Sequence, residues 1–334
     1  MTELDPTRPF VVVRPRGPDL DAPNLAALKG AVVALGNFDG VHRGHRRVIA
    51  TARARARALG RSAAALMFEP HPRAFFKPDE PLFRLTDENN KLRLFAATGL
   101  DGAVVMTFDA ELASLTADEF VGRILKDRLA VAGVVVGANF HFGRQRTGSP
   151  DFLAAEGAQS GFAVDIVPVF AHGGRPVSSG PIREALVVGN VGEAGELLGY
   201  PWFVTGTVIQ GDKRGRDLGY PTANLRLDRN CGLRYGIYAV RVGIGTNRYD
   251  GVASFGRRPM FATPEPLLEV HLFDFSGDLY GRAIDVAFLA WIREEMSFPT
   301  IAALTAQMDE DSAHACAALA AQPDAFPALG SVGP

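Results

Sequence analysis

His42 and His45 stand three positions apart in the string Gly36-Asn-Phe-Asp-Gly-Val-His-Arg-Gly-His45, between an apolar run (31–35) and a strongly helical one (46–59). A buried strand that enters a helix through a glycine-bearing turn aims free backbone N–H groups and the positive helix end at one spot. That spot suits an anion. Both imidazoles, three apart at the start of the helix, lie on one face beside it, and Gly44 keeps that face open. A lone His-x-x-His would read as two exposed histidines on a tight turn, but here a whole ten-residue string has to be explained.

A second constellation lies in Gly206-Thr-Val-Ile-Gln-Gly-Asp-Lys-Arg-Gly-Arg-Asp-Leu-Gly-Tyr-Pro-Thr-Ala-Asn224. Gly211, Gly215 and Gly219 recur every four residues around Lys213, Arg214 and Arg216, the pattern of a cationic flap able to close over a nucleotide. It is not a Walker A loop, because no Gly-Lys-Ser/Thr occurs. Pro221 fixes the backbone so that Thr222 and Asn224, two apart in extended chain, point the same way and offer oxygen ligands that suit Mg²⁺. In Leu267-Leu-Glu-Val-His-Leu-Phe-Asp-Phe275 the period is two, so Glu269 shares a face with His271, Phe273 and Phe275, and the apolar flanks predict burial on both sides. A carboxylate there can accept a proton from an alcohol.

Three further loops carry chemistry. In Glu69-Pro-His-Pro-Arg73 the prolines restrict the backbone and aim His71 one way. Val136-Gly-Ala-Asn-Phe-His-Phe-Gly143, followed by Arg144 and Arg146, sets aromatics around an amide and two arginines: a cradle for a flat heteroaromatic ring and a phosphate, or equally a buried corner. In Val177-Ser-Ser-Gly-Pro-Ile-Arg-Glu184 the hydroxyls of Ser178 and Ser179 precede a proline at the first helical turn, an N-cap and second anion site, with Arg183 one turn in.

The elements that must position these residues alternate in the first half. Apolar runs at 31–35, 63–68, 102–108, 133–137 and 162–169 read as strands, with helices near 43–59, 86–98, 116–129 and 150–158. That order predicts a parallel sheet covered by helices on both faces, with ligands at the carboxyl ends of the strands. The glycine-dotted stretch 186–200 reads as a connector. Beyond it, strand-like runs at 204–209, 235–242, 249–255, 267–275 and 282–291 follow one another with short turns and no long helix until about Thr300, which predicts a small antiparallel barrel.

With 47% hydrophobic and 22% charged residues over 334 positions, the chain reads as globular with room for about two domains. A net charge of −2 argues against a general nucleic-acid or membrane-surface binder. Two cysteines without a Cys-x-x-Cys, no signal-peptide pattern and no membrane-length apolar run point to the cytoplasm.

The Gly36–His45 string resembles the Gly-x-Phe-Asp-x-x-His-x-Gly-His signature of the nucleotidyltransferase superfamily. Together, the four loops of 28–188 resemble the FMN adenylyltransferase domain of the bacterial bifunctional riboflavin kinase/FMN adenylyltransferase (FAD synthetase) family. Residues 200–310 resemble riboflavin kinase through Gly-Arg-x-Leu-Gly-Tyr-Pro-Thr-Ala-Asn, Tyr235-Gly-Ile-Tyr238, Gly251-Val-Ala-Ser-Phe-Gly256, Glu269-Val-His-Leu-Phe-Asp-Phe and Asp278-Leu-Tyr-Gly281. The resemblance implies an α/β nucleotidyltransferase domain with a Rossmann-like parallel sheet (22–188), an antiparallel β-barrel kinase domain ending in a helix (189–312), and a C-terminal extension (313–334). It implies that ATP lies over Gly36, Phe38, Asp39, His42, Gly44 and His45 with Ser178, Ser179 and Arg183 on the phosphates, and that His71, Pro72 and Asn139 lie near the flavin or its phosphate. In the kinase half it implies Glu269 as general base, a nucleotide site at Gly211, Lys213, Gly215, Arg216, Gly219, Pro221, Thr222 and Asn224, and Mg²⁺ on Thr222 and Asn224. The small-molecule substrates are then riboflavin, FMN and ATP. Gly180 stands where the family usually has threonine, so the rival reading is a kinase whose adenylyl half has weakened or decayed; in the kinase half Met260 likewise replaces a threonine. A flavin-binding protein without turnover is the rival from outside enzymes.

Overall fold

The computed structural model describes residues 9–15, 22–211, 219–256 and 266–332. Lys213, Arg214, Gly215, Arg216, Arg258 and Met260 lie outside the described residues. Two compact units form, one from the described residues within Met1–Leu82, Thr86–Ser178 and Ala328–Pro334, the other from Phe83–Leu85 and Ser179–Pro327.

In the first unit β1 (Val11–Val13), β2 (Val32–Leu35), β3 (Ala63–Glu69), β4 (Gly102–Thr107), β5 (Gly133–Gly137) and β6 (Ala163–Val167) form one sheet in the order β1-β4-β3-β2-β5-β6, every pair parallel. β2 is buried at all its positions, as a central strand covered on both faces must be. The chain steps from β2 outward to β3 and β4, then returns to the other side of β2 for β5, so the strand order reverses between β2 and β5. Ligands of open parallel sheets bind at the strand carboxyl ends beside such a reversal. β2 runs into the Gly36–His45 turn there, and β5 into the 137–143 loop.

The helix Arg43–Leu59 has the bounds its pattern predicts. The His42 side chain accepts from the His45 N–H at its start, and Gly60, at φ 60°, ends it in the left-handed conformation. Its buried stripe of Val48, Ile49, Ala52 and Ala56 covers the sheet, leaving its arginines outside. The helix predicted over 116–129 is a short α-turn with a Thr116/Glu119 capping box (Ala117–Glu119) that widens into a π-helix (Phe120–Arg128). β1 was not legible, because three valines among prolines and charges gain strand character only by pairing with β4. A β-hairpin, β7 (Ala171–His172) and β8 (Arg175–Pro176), follows β6.

In the second unit β9 (Phe203–Thr207), β10 (Ala223–Arg226), β11 (Gly236–Ile244), β12 (Asn247–Gly256), β13 (Leu267–Leu272) and β14 (Ala283–Arg293) form an antiparallel sheet in the order β10-β13-β12-β11-β14-β9. A bridge between Ile209 and Asn224 brings its two edges together, so the barrel is nearly closed. Gly206 permits the approach, since a Cβ there would lie 2.6 Å from Leu225 Cδ2. β11 is buried at every position, with one face on the barrel interior and the final helix (Ile301–Ala320) packed on the strand. That helix runs unbroken through position 313.

Two expectations are corrected. The stretch 186–200 is no bare connector: helices Ser179–Val187 and Val191–Leu198 fill it, and the latter packs on β14. Its glycines sit at helix ends, with Gly189 at φ 82° and Gly199 at φ 84°, and within the second helix, where the buried Val191, Ala194, Leu197 and Leu198 supply the packing. β13 also stops at Leu272, because Asp274 turns at φ 52°, so Phe273 and Phe275 leave the strand.

A side chain at Gly102 would collide with the Val11 carbonyl oxygen and meet Leu28. Gly102→Ala should therefore detach β1 and lower the unfolding free energy by about 2 kcal/mol, read by denaturant titration.

Candidate active sites

The turn after β2 is held in sparsely populated backbone conformations, with Phe38 at φ 52° and Val41 at φ 36°. Buried Asp39 locks it: its Oδ1 accepts from the Thr86 N–H at 3.2 Å, while the Gly40 N–H donates to Thr86 Oγ1 at 3.0 Å. Nothing in the sequence pointed to Thr86, which reaches the turn from 47 positions away.

His42 and His45 stack with ring centroids 3.6 Å apart at 18°, and Phe38 meets His45 edge-on at 5.2 Å. The His45 N–H donates to His42 Nδ1 at 3.3 Å, so the neutral His42 ring carries its proton on Nε2. A Cβ at Gly44 would lie 3.1 Å from the His42 ring, a tight contact that the ring would have to yield to.

Burial lowers His42 from 6.5 to about 4, against the raising effect of Asp39. His45 is pushed well below its usual range by burial first, then by His42 and Lys91. Burial thus favours the neutral form of both rings in the free protein.

His71 caps the short helix Pro72–Phe76, its Nδ1 accepting from the Arg73 N–H at 3.1 Å. With Pro72 it lines a cavity of about 390 Å³ whose walls include Asn37, Phe108, Phe120, Phe140, Phe142 and Arg146. An apolar, aromatic cleft with a few polar groups is the form of a ring-binding site. The 136–143 loop walls this cavity with Phe140, His141, Phe142 and Gly143, although exposed Asn139 is not among the lining residues. Ser178 closes the first unit, and Ser179 opens a helix of the second. Arg183 on that helix donates from Nε to the Phe83 carbonyl at 2.5 Å.

In the second unit Asn224 on β10 and Ser254 on β12 are both register partners of Glu269 on β13. Directly paired residues share a sheet face, so Glu269 lies between an amide and a hydroxyl. Burial on both sides is not found: Leu268, Val270 and Leu272 are buried, while Glu269 and His271 are half-buried. Their face opens on a cavity of about 230 Å³, with Thr222, Ser254, Arg293 and Glu295 around it and Met308 and Asp311 of the final helix opposite.

The His271 ring approaches the Pro221 carbonyl at 3.0 Å, and Tyr220 bonds Asp309 of the final helix. Arg293 makes a bidentate pair with Asp311 at 2.7 and 2.6 Å. Asn224 is buried and its Oδ1 has no hydrogen-bond partner among the described residues. A Cβ at Gly211 would sit 3.0 Å from that oxygen. Gly219 turns at φ 85°. Nothing in the sequence singled out Ser254 or Glu295 as cavity residues, because only the barrel brings β12 and the stretch just after β14 near Glu269.

The FAD synthetase family model matches residues 25–181 and the riboflavin kinase model residues 198–319. The bifunctional riboflavin kinase/FMN adenylyltransferase of Pseudomonas fluorescens is 43% identical over 298 residues, covering 88% of this chain and 94% of that protein. The chain belongs to this bifunctional family. The Escherichia coli K12 relative of the same description is 39% identical over 287 residues, covering 86% of the chain and 92% of that protein. A crystal structure described as a macrolide-efflux protein from Streptococcus pneumoniae aligns with a TM-score of 0.79 at 32% identity, covering 90% of this chain and 97% of that one.

As a member of the bifunctional family the chain phosphorylates riboflavin to FMN and adenylylates FMN to FAD. Matches to both domain models do not favour a kinase with a lost adenylyl half. Among the described residues no helix is long and apolar enough to cross a membrane.

His42 resists protonation when folded, whereas the unfolded chain takes the proton near pH 6.5. Its contribution to stability is full above pH 6.5 and is lost as pH falls through about 4. At about 1.4 kcal/mol per pH unit this is on the order of 3 kcal/mol. His42→Asn should flatten the loss of stability across that interval, measured by urea titration at several pH values.

Proposed function

We propose that residues 22–188 carry adenylyl transfer and residues 189–312 carry the kinase reaction, in the reducing setting that two free thiols suit. The supporting observation is the pairing of Glu269 with Asn224 across adjacent strands, with the Asn224 oxygen buried and unsatisfied beside Gly211.

In the kinase step Glu269 takes the proton of the ribityl 5′-hydroxyl as that oxygen bonds to the γ-phosphorus of ATP and the bond to ADP breaks. The cavity wall orients the alcohol, and the final helix limits water. An amide oxygen buried without a partner among the described residues fits a hard cation, so Asn224, with Thr222 two positions before it, would hold Mg²⁺. When bound, Mg²⁺ neutralises phosphate charge. Gly219 and Pro221 precede Thr222 in the proposed nucleotide site, whose Lys213, Gly215 and Arg216 lie outside the described residues.

In the adenylyl step ATP lies over the Gly36–His45 turn, and FMN enters the aromatic cavity beside His71 and Pro72, with Asn139 keeping the flavin-side role that the resemblance implies. An FMN phosphate oxygen, already anionic, bonds to the α-phosphorus as the bond to pyrophosphate breaks, so no general base is needed. His42 and His45, with the helix N–H groups, donate hydrogen bonds to the departing phosphates. Ser178, Ser179 and Arg183 keep the phosphate roles that the resemblance implies.

Glu269→Ala should lower FMN formation at least about 100-fold while FMN-to-FAD conversion stays nearly intact. Equal loss of both, followed by chromatography of the flavins, would refute the division of labour. His45→Ala should do the reverse, cutting pyrophosphate release from ATP and FMN by about 100-fold; an unchanged rate would sink the first-unit site.

A further inference from the structure

Lys91 is wholly buried, and its Nζ pairs with Glu69 Oε1 at 2.9 Å. Dehydrating two ions commonly costs as much as their attraction returns, so such a pair is weak evidence for stability and invites another explanation. Its location supplies one. Lys91 and Phe95, four apart on helix Glu88–Ala97, share a helix face. Phe95 meets Phe38 edge-on at 5.3 Å, and Phe38 meets His45 edge-on at 5.2 Å. Glu69 ends β3 two residues before His71, which lines the aromatic cavity. The ion pair therefore ties the layer beneath the stacked histidines to the strand end that carries the flavin-side loop.

We propose that Lys91, through its ion pair with Glu69, is a positioning residue for adenylyl transfer: it holds His45 and the His71 loop in fixed relation. The inference rests on the adenylyl-transfer reading of the first unit. Lys91 touches neither substrate, because none of it reaches solvent. The titratable groups acting on His45 are His42 beside it and Lys91 from the neighbouring helix, with Glu69 balancing Lys91 and Asp39 acting on His42. The ammonium charge makes His45 harder to protonate, so its removal must make His45 easier to protonate.

The test uses the full chain with Lys91→Met, the pair replacement Lys91→Met with Glu69→Met, and Lys91→Arg. For both methionine variants kcat/KM for FMN to FAD should fall at least about tenfold, with riboflavin phosphorylation within about twofold as an internal control of folding. The acid limb of FAD formation should move up by about half a pH unit or more, because His45 protonates sooner. Lys91→Arg, which keeps the charge, should leave the limb in place. An unmoved limb, or recovery of FAD formation to within about twofold in the pair replacement, would overturn the proposal. Loss of both activities in the single and paired variants would also overturn it, making the pair a general structural support. His45→Ala in parallel separates this failure from failure of the underlying site.

Discussion

Two imidazole rings stacked 3.6 Å apart at a helix N-terminus cannot both be cations, and much of the first unit serves that arrangement. The backbone N–H of His45 occupies the Nδ1 of His42, and the empty side-chain position at Gly44 makes room for the ring. Phe38 and Val41 accept unfavourable dihedrals to turn the chain from β2 into the helix, and Asp39 is clamped by Thr86 to keep them there. The result is a neutral, preorganised set of donors at the positive end of a helix. In the adenylyl-transfer reading proposed above, a polyanion would meet donors already in place.

The second unit solves a different problem. In the reading proposed above an alcohol loses its proton to Glu269, which the antiparallel barrel positions by register. Glu269 faces Asn224 across one ladder and Ser254 across another. The same strand buries Leu268, Val270 and Leu272 inward, so one period-two pattern both fills the barrel and presents the carboxylate. The final helix then closes the cavity through Arg293–Asp311 and Tyr220–Asp309.

The two units thus use ATP in ways suited to their architectures. A parallel sheet gathers several loops at one edge where the strand order reverses, which suits holding two large substrates while a phosphate attacks. A barrel sets individual side chains opposite one another with ladder precision, which suits placing a base beside cation ligands. The Asn224 oxygen is buried without a hydrogen-bond partner among the described residues, beside that ladder.

Local chemistry in the sequence determined a good deal: the strand-turn-helix at 31–59, the period-two strand around Glu269, the alternation that means a parallel sheet and the later succession that means a barrel. These depend on spacing within a dozen residues, where periodicity and capping act. Tertiary structure alone decided that Val11–Val13 is a strand, that 191–198 is a helix on β14, and that Phe83–Leu85 belongs with the second unit. It also decided that the histidines are neutral, that Thr86 clamps Asp39, and that Lys91 is sealed against Glu69. Burial and desolvation depend on which distant segments close over a group, and no local pattern of residue types encodes that.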